Sequence, residues 1–565
     1  MTVETKATQR SDFNTWELIK ELKLDMSDDE LKSLIKKWTT IAANNDTILN
    51  SDWKENKAYY NGLDKRTEDI MDDKSKVTDN RIFTDMETIL PIVTSTPAKP
   101  IVFIPSGQWW DTKEKIRDQS IKTQKILLAI YEDQKLQQKF EKMYRQHQIY
   151  RIGMIKYGIS DDQIFADVIL PPRLMLDSEA TTIEDSEFIW EKIVDTAKNI
   201  INKYPDKEKE ISQKVQGKLW TKLTYIEWWT DEFVVVSIDS EIILEKKKNP
   251  LFDYEGITKT EVDEFGKEIE GNPTKNNFFV RPKKPFIAFN VYNIGESIID
   301  ETTTLILCKS LQDNINDRKR QIADNSNLVW NPIRVYTWFN WDQAAEANDN
   351  LAAWDGVNLS DWQSISYVQA APLPAYVSND LQDTRNSIDN IFGIHDTSKG
   401  IRAWGAGESG LAREQLREWD QDRQATIGRA IEQVSEELYN AFAHLIKVFY
   451  DTDQLIPIMW KGNAEDYVQF KRDDIAEGMK IRVKPWSTIP EDKNAQKAQA
   501  LELLPAWLIT KKRGYEMMGI EDAEEAAKEL ELEWALAQKA QEEVLTKEKQ
   551  EDTMSQLQEQ IGQLN

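Results

Sequence analysis

The sequence predicts an α+β fold in which helices predominate. Three observations support this prediction: long segments with apolar residues at helical spacing, short β-rich segments placed mostly in the first 300 residues, and enough apolar residues to build a core. The chain has 565 residues, of which 40% are hydrophobic and 30% charged, and its mean hydropathy is −0.61. This composition is typical of a folded globular protein and excludes disorder of the whole chain.

The first part of the chain alternates between helices and strands. Residues 27–30 (Ser-Asp-Asp-Glu) form a capping box, which predicts that a helix begins there. A second helix is predicted from about Asp79, a strand between prolines over 97–105, and one long helix over 111–150. Residues 153–177 and 223–244 read as short strands, the latter as a hairpin that turns at 230–232.

The second part is mostly helical. Residues 298–325 contain no Gly or Pro and predict one helix, 327–375 a compact non-helical insertion, and 378–392 a second helix. A glycine-containing loop over 393–410 leads to an extended helix with apolar residues at alternating steps of four and three from Ile427 to Val448. Short strands over 467–470 and 480–483 precede a helical, acidic C-terminal region, which carries a narrow apolar stripe beyond Glu521.

Composition excludes several functions. The formal net charge of −26 opposes nonspecific binding of nucleic acids, because such binding depends on cations that neutralise phosphates. The stretch 363–379 carries no charge, but it contains Pro372 and Pro374 and offers no transmembrane helix. One cysteine and three histidines leave little for a disulfide framework or a zinc site, so we expect neither metal nor cofactor.

Two sequence features could indicate ligand binding, and for each of them we prefer a structural interpretation. Residues 405–410 match G-x-G-x-x-G, but the flanking elements are helices instead of a βαβ unit, so we interpret the segment as a mobile loop. Five tryptophans lie in the 327–375 insertion: Trp330, Trp338, Trp341, Trp354 and Trp362. With Arg334 as the only basic residue between 327 and 380, base stacking on nucleic acid is not favoured, and these side chains predict either the core of a small subdomain or, preferably, a protein interface.

The order of these parts resembles the portal proteins of tailed bacteriophages, which form a dodecameric ring at one capsid vertex. The resemblance is carried by the segments 79–82, 97–101, 157–158, 166–168, 171–177, 295–297, 311–316 and 409–413. It implies a portal fold with the following parts: an α/β wing over 1–297, a first stem helix over 298–326, a clip over 327–375, a second stem helix over 376–393, a tunnel loop over 394–409, a long wing helix over 410–450, a C-terminal wing over 451–494 and a helical crown over 495–565.

The resemblance also implies a function and partners. The chain is expected to be a structural component and not an enzyme, assembled in the host cytoplasm and located in the virion at the capsid vertex. Double-stranded DNA would pass through the ring transiently during packaging and ejection. The implied protein partners are further copies of the chain, the terminase large subunit, a head–tail adaptor, and the major capsid and scaffold proteins, with no membrane.

The expected site residues fall into two groups. Basic residues of the stem and tunnel loop could contact passing phosphates: Lys309, Arg318, Lys319, Arg320, His395, Lys399 and Arg402. Salt bridges or solvated faces explain these cations equally well. The five tryptophans form the expected clip interface. An acidic lining suits a channel, because DNA that must slide should not be gripped.

Two other functions stay open on the residues alone. One is a different helical virion or scaffold component without a DNA channel. The other is a carbohydrate-active enzyme, which would need two positioned carboxylates in an apolar-walled pocket.

Overall fold

A computed structural model describes the chain over the following residues: 26–64, 66, 74–105, 113–239, 241–254, 261–262, 268–269, 276–330, 333–338, 340–342, 361–368, 372–394, 410–457, 467–476, 478–485, 500–501, 503, 510–518, 530–536 and 538–539. The chain divides into two compact units, residues 1–489 and 490–565.

Helices of the first unit are α1 (Asp28–Tyr60), α2 (Arg81–Thr94), α3 (Lys113–Asp133), α4 (Leu136–Tyr150), α5 (Ala197–Lys203), α6 (Glu208–Lys214), α7 (Thr304–Trp330), α8 (Ala375–Phe392) and α9 (Gly410–Phe449). The second unit contains α10 (Lys511–Met518), and residues 530–536 are also helical. Within the described residues, no helix is both long enough and apolar enough to cross a lipid bilayer.

Strands, all in the first unit, are β1 (Pro100–Phe103), β2 (Gly153–Ser160), β3 (Gln163–Ile169), β4 (Leu174–Leu176), β5 (Ile189–Thr196), β6 (Lys222–Trp229), β7 (Phe233–Ile238), β8 (Ile242–Lys248), β9 (Glu261–Val262), β10 (Glu268–Ile269), β11 (Phe286–Phe289), β12 (Ile333–Thr337), β13 (Ser364–Val368), β14 (Gln454–Pro457), β15 (Tyr467–Phe470) and β16 (Lys480–Val483). They pair antiparallel in sheets of order β4-β5-β6-β7-β8 and β11-β2-β3, and in the pairs β1-β16, β9-β10, β12-β13 and β14-β15. The predicted α+β class is confirmed.

The capping box at the start of α1 forms as predicted. The backbone N–H of Glu30 donates to Ser27 Oγ, and the Ser27 N–H donates to the Glu30 carboxylate at 2.9 Å. The helix then packs its first turns on the five-stranded sheet, where Trp38 stacks on Phe188 and Trp228 with ring centroids 5.2 and 5.5 Å apart. The opposite face of this sheet is covered by α5 and α6.

Two helix predictions were wrong in their bounds. The single helix predicted over 111–150 is broken into α3 and α4 at Lys135, whose φ of 50° is left-handed. A lysine gives no sequence signal for such a break, because this conformation is usually taken by Gly or Asn. After the break, Leu136, Phe140 and Met143 are buried in the main core.

The first stem helix begins at Thr304 and not at 298, and it ends at Trp330, inside the insertion predicted to be non-helical. The reason for the late start is a tertiary contact at Asp300. Its buried carboxylate accepts N–H groups from Val291 and Tyr292 at 2.8 Å each and lies 2.8 Å from His147 Nε2. These contacts hold the preceding segment out of the helix.

His444 of α9 is buried and fixes an irregular segment against the helix. Its Nε2 donates to the Leu251 carbonyl at 2.7 Å, while Nδ1 accepts from the N–H groups of Phe278 and Phe279 at 3.2 Å each. Burial lowers the pKa of His444 to about 4. A proton on Nδ1 would also face two N–H donors, so the folded chain keeps this imidazole neutral.

We therefore expect stability to fall as the pH drops. The unfolded chain takes up a proton on His444 near pH 6.5 and the folded chain only near 4, so the loss develops between these values, reaches on the order of 3 kcal/mol, and levels off below about 4. Urea unfolding at pH 7 and pH 5 should show a smaller pH dependence for His444→Gln than for the unsubstituted chain. Equal pH dependence in the two proteins would contradict the assignment.

Candidate channel and docking surfaces

The helices α7 and α8 form an antiparallel pair, which we call the stem. Asn314 Nδ2 donates to Thr384 Oγ1 at 3.3 Å, and Arg318 Nε donates to Asp380 at 2.6 Å, so residue numbers rise along one helix as they fall along the other. Ile315 of α7 and Ile388 of α8 are buried in the main core. The two predicted stem helices are thus present and adjacent.

A β-hairpin extends the stem between the end of α7 and the start of α8. Its strands β12 and β13 pair in register from Ile333 opposite Val368 to Thr337 opposite Ser364. The short connections, 331–332 and 369–374, keep the hairpin at the ends of both helices. The described part of the tryptophan-rich insertion thus lies between the two helices in the chain, and its role as a clip stays a prediction.

Two of the basic residues predicted to face the channel are held by carboxylates of the same chain. Lys309 Nζ lies 3.0 Å from Glu55 Oε2 and 5.5 Å from the ring centroid of Tyr59. Arg318 binds Asp380 of the neighbouring stem helix. Both side chains are partly buried, so neither presents a bare charge to solvent.

The other two described residues of the predicted basic set, Lys319 and Arg320, are also paired. Arg320 is buried, and its Nη2 lies 2.6 Å from Asp64 Oδ2, while Lys319 Nζ lies 3.6 Å from Asp79 Oδ2. Burial works to raise the pKa of Asp64, but hydrogen bonds from Arg66 and Arg320 outweigh burial and hold this pKa well below its usual range. Asp64 is therefore a carboxylate throughout the neutral pH range, and Arg320 ties the stem to the chain segment after α1.

The exposed face of the stem is uncharged or acidic. Among the described residues of α7 and α8 that are exposed, the charged ones are Asp317 and Asp383, and none is Lys or Arg. The polar remainder of this face consists of amides and hydroxyls, including Ser310, Gln321, Gln382, Asn386 and Asn390. Such a surface can hydrate a passing polyanion without binding its phosphates tightly.

Sequence reasoning missed the arginines that anchor the stem at its base. Arg81, at the start of α2, binds both carboxylate oxygens of Asp389 at 2.7 and 2.9 Å, and Arg385 of α8 binds Asp79. Burial alone would lower the pKa of Arg81, but its hydrogen bonds to Asp389 together with the charges of the nearby aspartates outweigh burial and raise it. The segment 79–82 had been singled out in the sequence without this role, because its partners lie some 300 residues away in the chain.

The described tryptophans of the insertion lie on the surface. Their exposed fractions are 83% for Trp330, 76% for Trp338, 92% for Trp341 and 70% for Trp362. This exposure excludes the alternative that these four side chains form the core of a small subdomain. Few surfaces carry so many large exposed apolar side chains without a partner, so the exposure favours the predicted protein interface.

Four predicted site residues lie outside the described residues. These are His395, Lys399 and Arg402 of the expected tunnel loop and Trp354 of the expected clip.

Comparisons with known proteins give one family match and several solved structures. Residues 337–565 match the phage P22-like portal protein family. A chain from the neck of an empty gene transfer agent particle, computed with C6 symmetry, is 9% identical, with 81% of this chain and 95% of that chain covered and a TM-score of 0.37. A chain from the virion of a native gene transfer agent particle gives the same values. A chain from the neck of the native particle, computed with C12 symmetry, is 9% identical, with 78% and 90% covered and a TM-score of 0.35. No curated protein matches the chain.

The family match begins at Thr337, the last residue of β12, and takes in β13, the second stem helix α8, the long helix α9 and the C-terminal region. These are the parts whose order the sequence analysis compared with a clip, a stem helix, a wing helix and a crown. The similarity of residues 337–565 to phage P22-like portal proteins confirms the predicted resemblance of this chain to portal proteins.

Proposed function

We propose that this chain is the subunit of a portal ring, a structural conduit at one vertex of a tailed-phage capsid through which double-stranded DNA is packaged and ejected. The observation that carries the proposal is the stem, whose described exposed residues include carboxylates and amides but no cation. Packaged DNA must slide, and a lining that bound phosphates would slow it. The role is structural and not enzymatic, and the particle's DNA would be driven by an external terminase.

The proposed assembly is a dodecamer located in the virion. The exposed tryptophans of the β12–β13 hairpin are the proposed docking surface for a head–tail adaptor, and the terminase large subunit would dock during packaging. Capsid and scaffold proteins would surround the wing. Since Lys309, Arg318, Lys319 and Arg320 are paired with carboxylates of their own chain, any contact they make with DNA is brief.

Size-exclusion chromatography with light scattering, followed by negative-stain imaging, tests the proposal. A ring with a central hole is expected. A rod would favour a scaffold component, and a monomer with a closed two-carboxylate pocket would favour an enzyme, so either result would overturn the portal assignment.

Deleting residues 398–406 should leave the ring assembled and change DNA packaging or retention. The following helix α9 should keep its packing, because its residues Ile431, Leu438 and Leu445 are buried in the main core. The measurement is the DNA content of particles that carry the deletion. As a milder control, Lys399→Glu with Arg402→Glu should have a smaller effect, since single transient phosphate contacts add little affinity. Packaging and retention equal to those of the unmodified chain would show that the loop does not face DNA.

Truncation before Glu521 should spare ring formation and impair assembly of the full head. In the described residues 530–536, Leu532, Trp534 and Leu536 are each more than 60% exposed, so this helix carries large apolar side chains whose burial needs a neighbour. Light scattering measures the first effect and head yield the second. The substitution Trp534→Ser should reproduce part of the head defect. A truncated chain that remains monomeric would overturn this prediction.

A further inference from the structure

A cavity of about 170 Å³ lies where α2, α8, α9 and the start of α7 meet. Ile89 and Ile427 form apolar parts of its wall, and Tyr292 and Thr304 form a polar part. The hydroxyls of Tyr292 and Thr304 hydrogen-bond to each other at 3.0 Å. Among the described residues that line the cavity, none carries a charged side chain.

Gln424 supplies an unsatisfied amide to this cavity. Its side chain is on the same face of α9 as Ile427, and the residue is only 2% exposed. Neither its Oε1 nor its Nε2 has a hydrogen-bond partner among the residues that the structure describes. Buried amides in native proteins are nearly always paired, so a buried amide with both a donor and an acceptor open toward a cavity indicates a missing partner.

The chemistry of the wall restricts what that partner can be. A charged ligand would lose its hydration without gaining a counter-ion, which disfavours carboxylates, phosphates and ammonium groups. The carboxamide of Gln424 offers one donor and one acceptor side by side in a plane, and the group that matches both is another amide, through two parallel N–H···O bonds. The isoleucine walls suit the apolar substituents of such a group.

We propose that this cavity is a binding site for a neutral amide group, with Gln424 as the residue that recognises it. Two sources share this chemistry: a free small carboxamide, and a peptide or side-chain amide contributed by another copy of the chain. The inference does not depend on the portal function, because it rests on the cavity and on Gln424 alone.

The test uses the full-length chain and N-methylacetamide, a small mimic of the peptide group. Saturation-transfer NMR measures its binding to the unsubstituted chain, to Gln424→Leu and to Gln433→Leu. Leucine at 424 retains the volume and removes an amide that has no partner, so that variant should fold normally. Gln433 serves as the matched control, because it lies on the same helix but bonds Glu437 at 3.2 Å and does not line the cavity.

The unsubstituted chain and Gln433→Leu should bind the probe weakly, with a dissociation constant at about the millimolar level expected for so small a ligand. The affinity for the probe should be at least tenfold lower in Gln424→Leu. A high-resolution cryo-electron microscopy map of the chain in its assembled state provides the second arm. If the probe binds and binding requires Gln424, the natural ligand is a free small carboxamide. If the probe does not bind and the map shows a protein amide within hydrogen-bond distance of Gln424, the amide comes from another copy of the chain. Binding that is unchanged in Gln424→Leu, or no binding with only water beside Gln424, overturns the proposal.

Discussion

Replacing Lys156 with methionine is expected to lower the free energy of unfolding by about 3–5 kcal/mol, the largest effect of any single substitution considered for this chain. Lys156 of β2 lies 2.6 Å from Glu191 of β5 and 2.9 Å from Glu227 of β6, so it joins the three-stranded and five-stranded sheets. All three side chains are about 15% exposed or less. Without the ammonium group, two carboxylates would remain close together in a poorly hydrated space.

The pKa values of this cluster are consistent with strong coupling. Burial opposes the charge on Lys156, but Glu227 and Glu191 outweigh burial and raise its pKa. Burial likewise opposes the charge on Glu227, but Lys156 outweighs it and lowers the pKa of that carboxyl. The ammonium therefore keeps the Glu227 carboxylate ionised in the folded chain.

Chemical denaturation of the full chain measures the predicted loss. The matched control is the triple variant Lys156→Met, Glu191→Gln, Glu227→Gln, which removes all three charges and should recover most of the stability. In Lys156→Met alone, burial should raise the folded-state pKa of Glu227 above its unfolded value. The folded form would then favour the protonated carboxyl, so the defect should be largest at pH 7 and shrink toward pH 4–5. A loss of under about 1 kcal/mol at pH 7, or a triple variant no more stable than the single one, would contradict this account.

Changing Trp338 and Trp341 to serine should abolish attachment of the head–tail adaptor while leaving the chain folded. The two rings are 76% and 92% exposed, so their loss removes little packing within the chain. At an interface, each buried Trp typically contributes at least about 2 kcal/mol, which corresponds to roughly a thirtyfold loss of affinity per residue. The proportion of tailed particles measures the effect, and thermal unfolding checks the fold.

Trp220→Ser is the matched control for these substitutions. Trp220 is 76% exposed, as Trp338 is, but it lies beside the five-stranded sheet. There, Lys198 Nζ lies over the Trp220 ring, 4.9 Å from its centroid. Tail attachment should be normal in this variant. If the double Trp variant also attaches tails normally, the hairpin is not the docking surface.

Much of the fold could be predicted because its signals are local. The capping box at Ser27, the turn at 230–232, the second stem helix and the long helix α9 all follow from residue types and spacing within one element. An interface at the tryptophans stays a prediction, which rests on an insertion with almost no basic residues and on the exposure of its described Trp side chains.

The errors arose where distant residues meet. The break at Lys135 depends on how α3 and α4 pack in the core, and the start of α7 at Thr304 depends on Asp300 contacting His147, more than 150 residues earlier. Neither contact changes the spacing of apolar residues within its own segment, so the sequence pattern gives no sign of it. In the sequence, Gln424 likewise looks like an ordinary polar residue of a helix, and nothing shows that its amide is buried without a hydrogen-bond partner.

The sequence by itself determined the α+β class, the two helices that flank the tryptophan-rich insertion, the long helix α9 and the resemblance to portal proteins, because periodicity, capping and composition act over a few turns of chain. Only the tertiary structure decided what the stem cations do. Lys309, Lys319 and Arg320 meet Glu55, Asp79 and Asp64, carboxylates that lie about 250 residues away in the chain. The strength of an ion pair depends on the distance between the two charges in space, and the fold sets that distance.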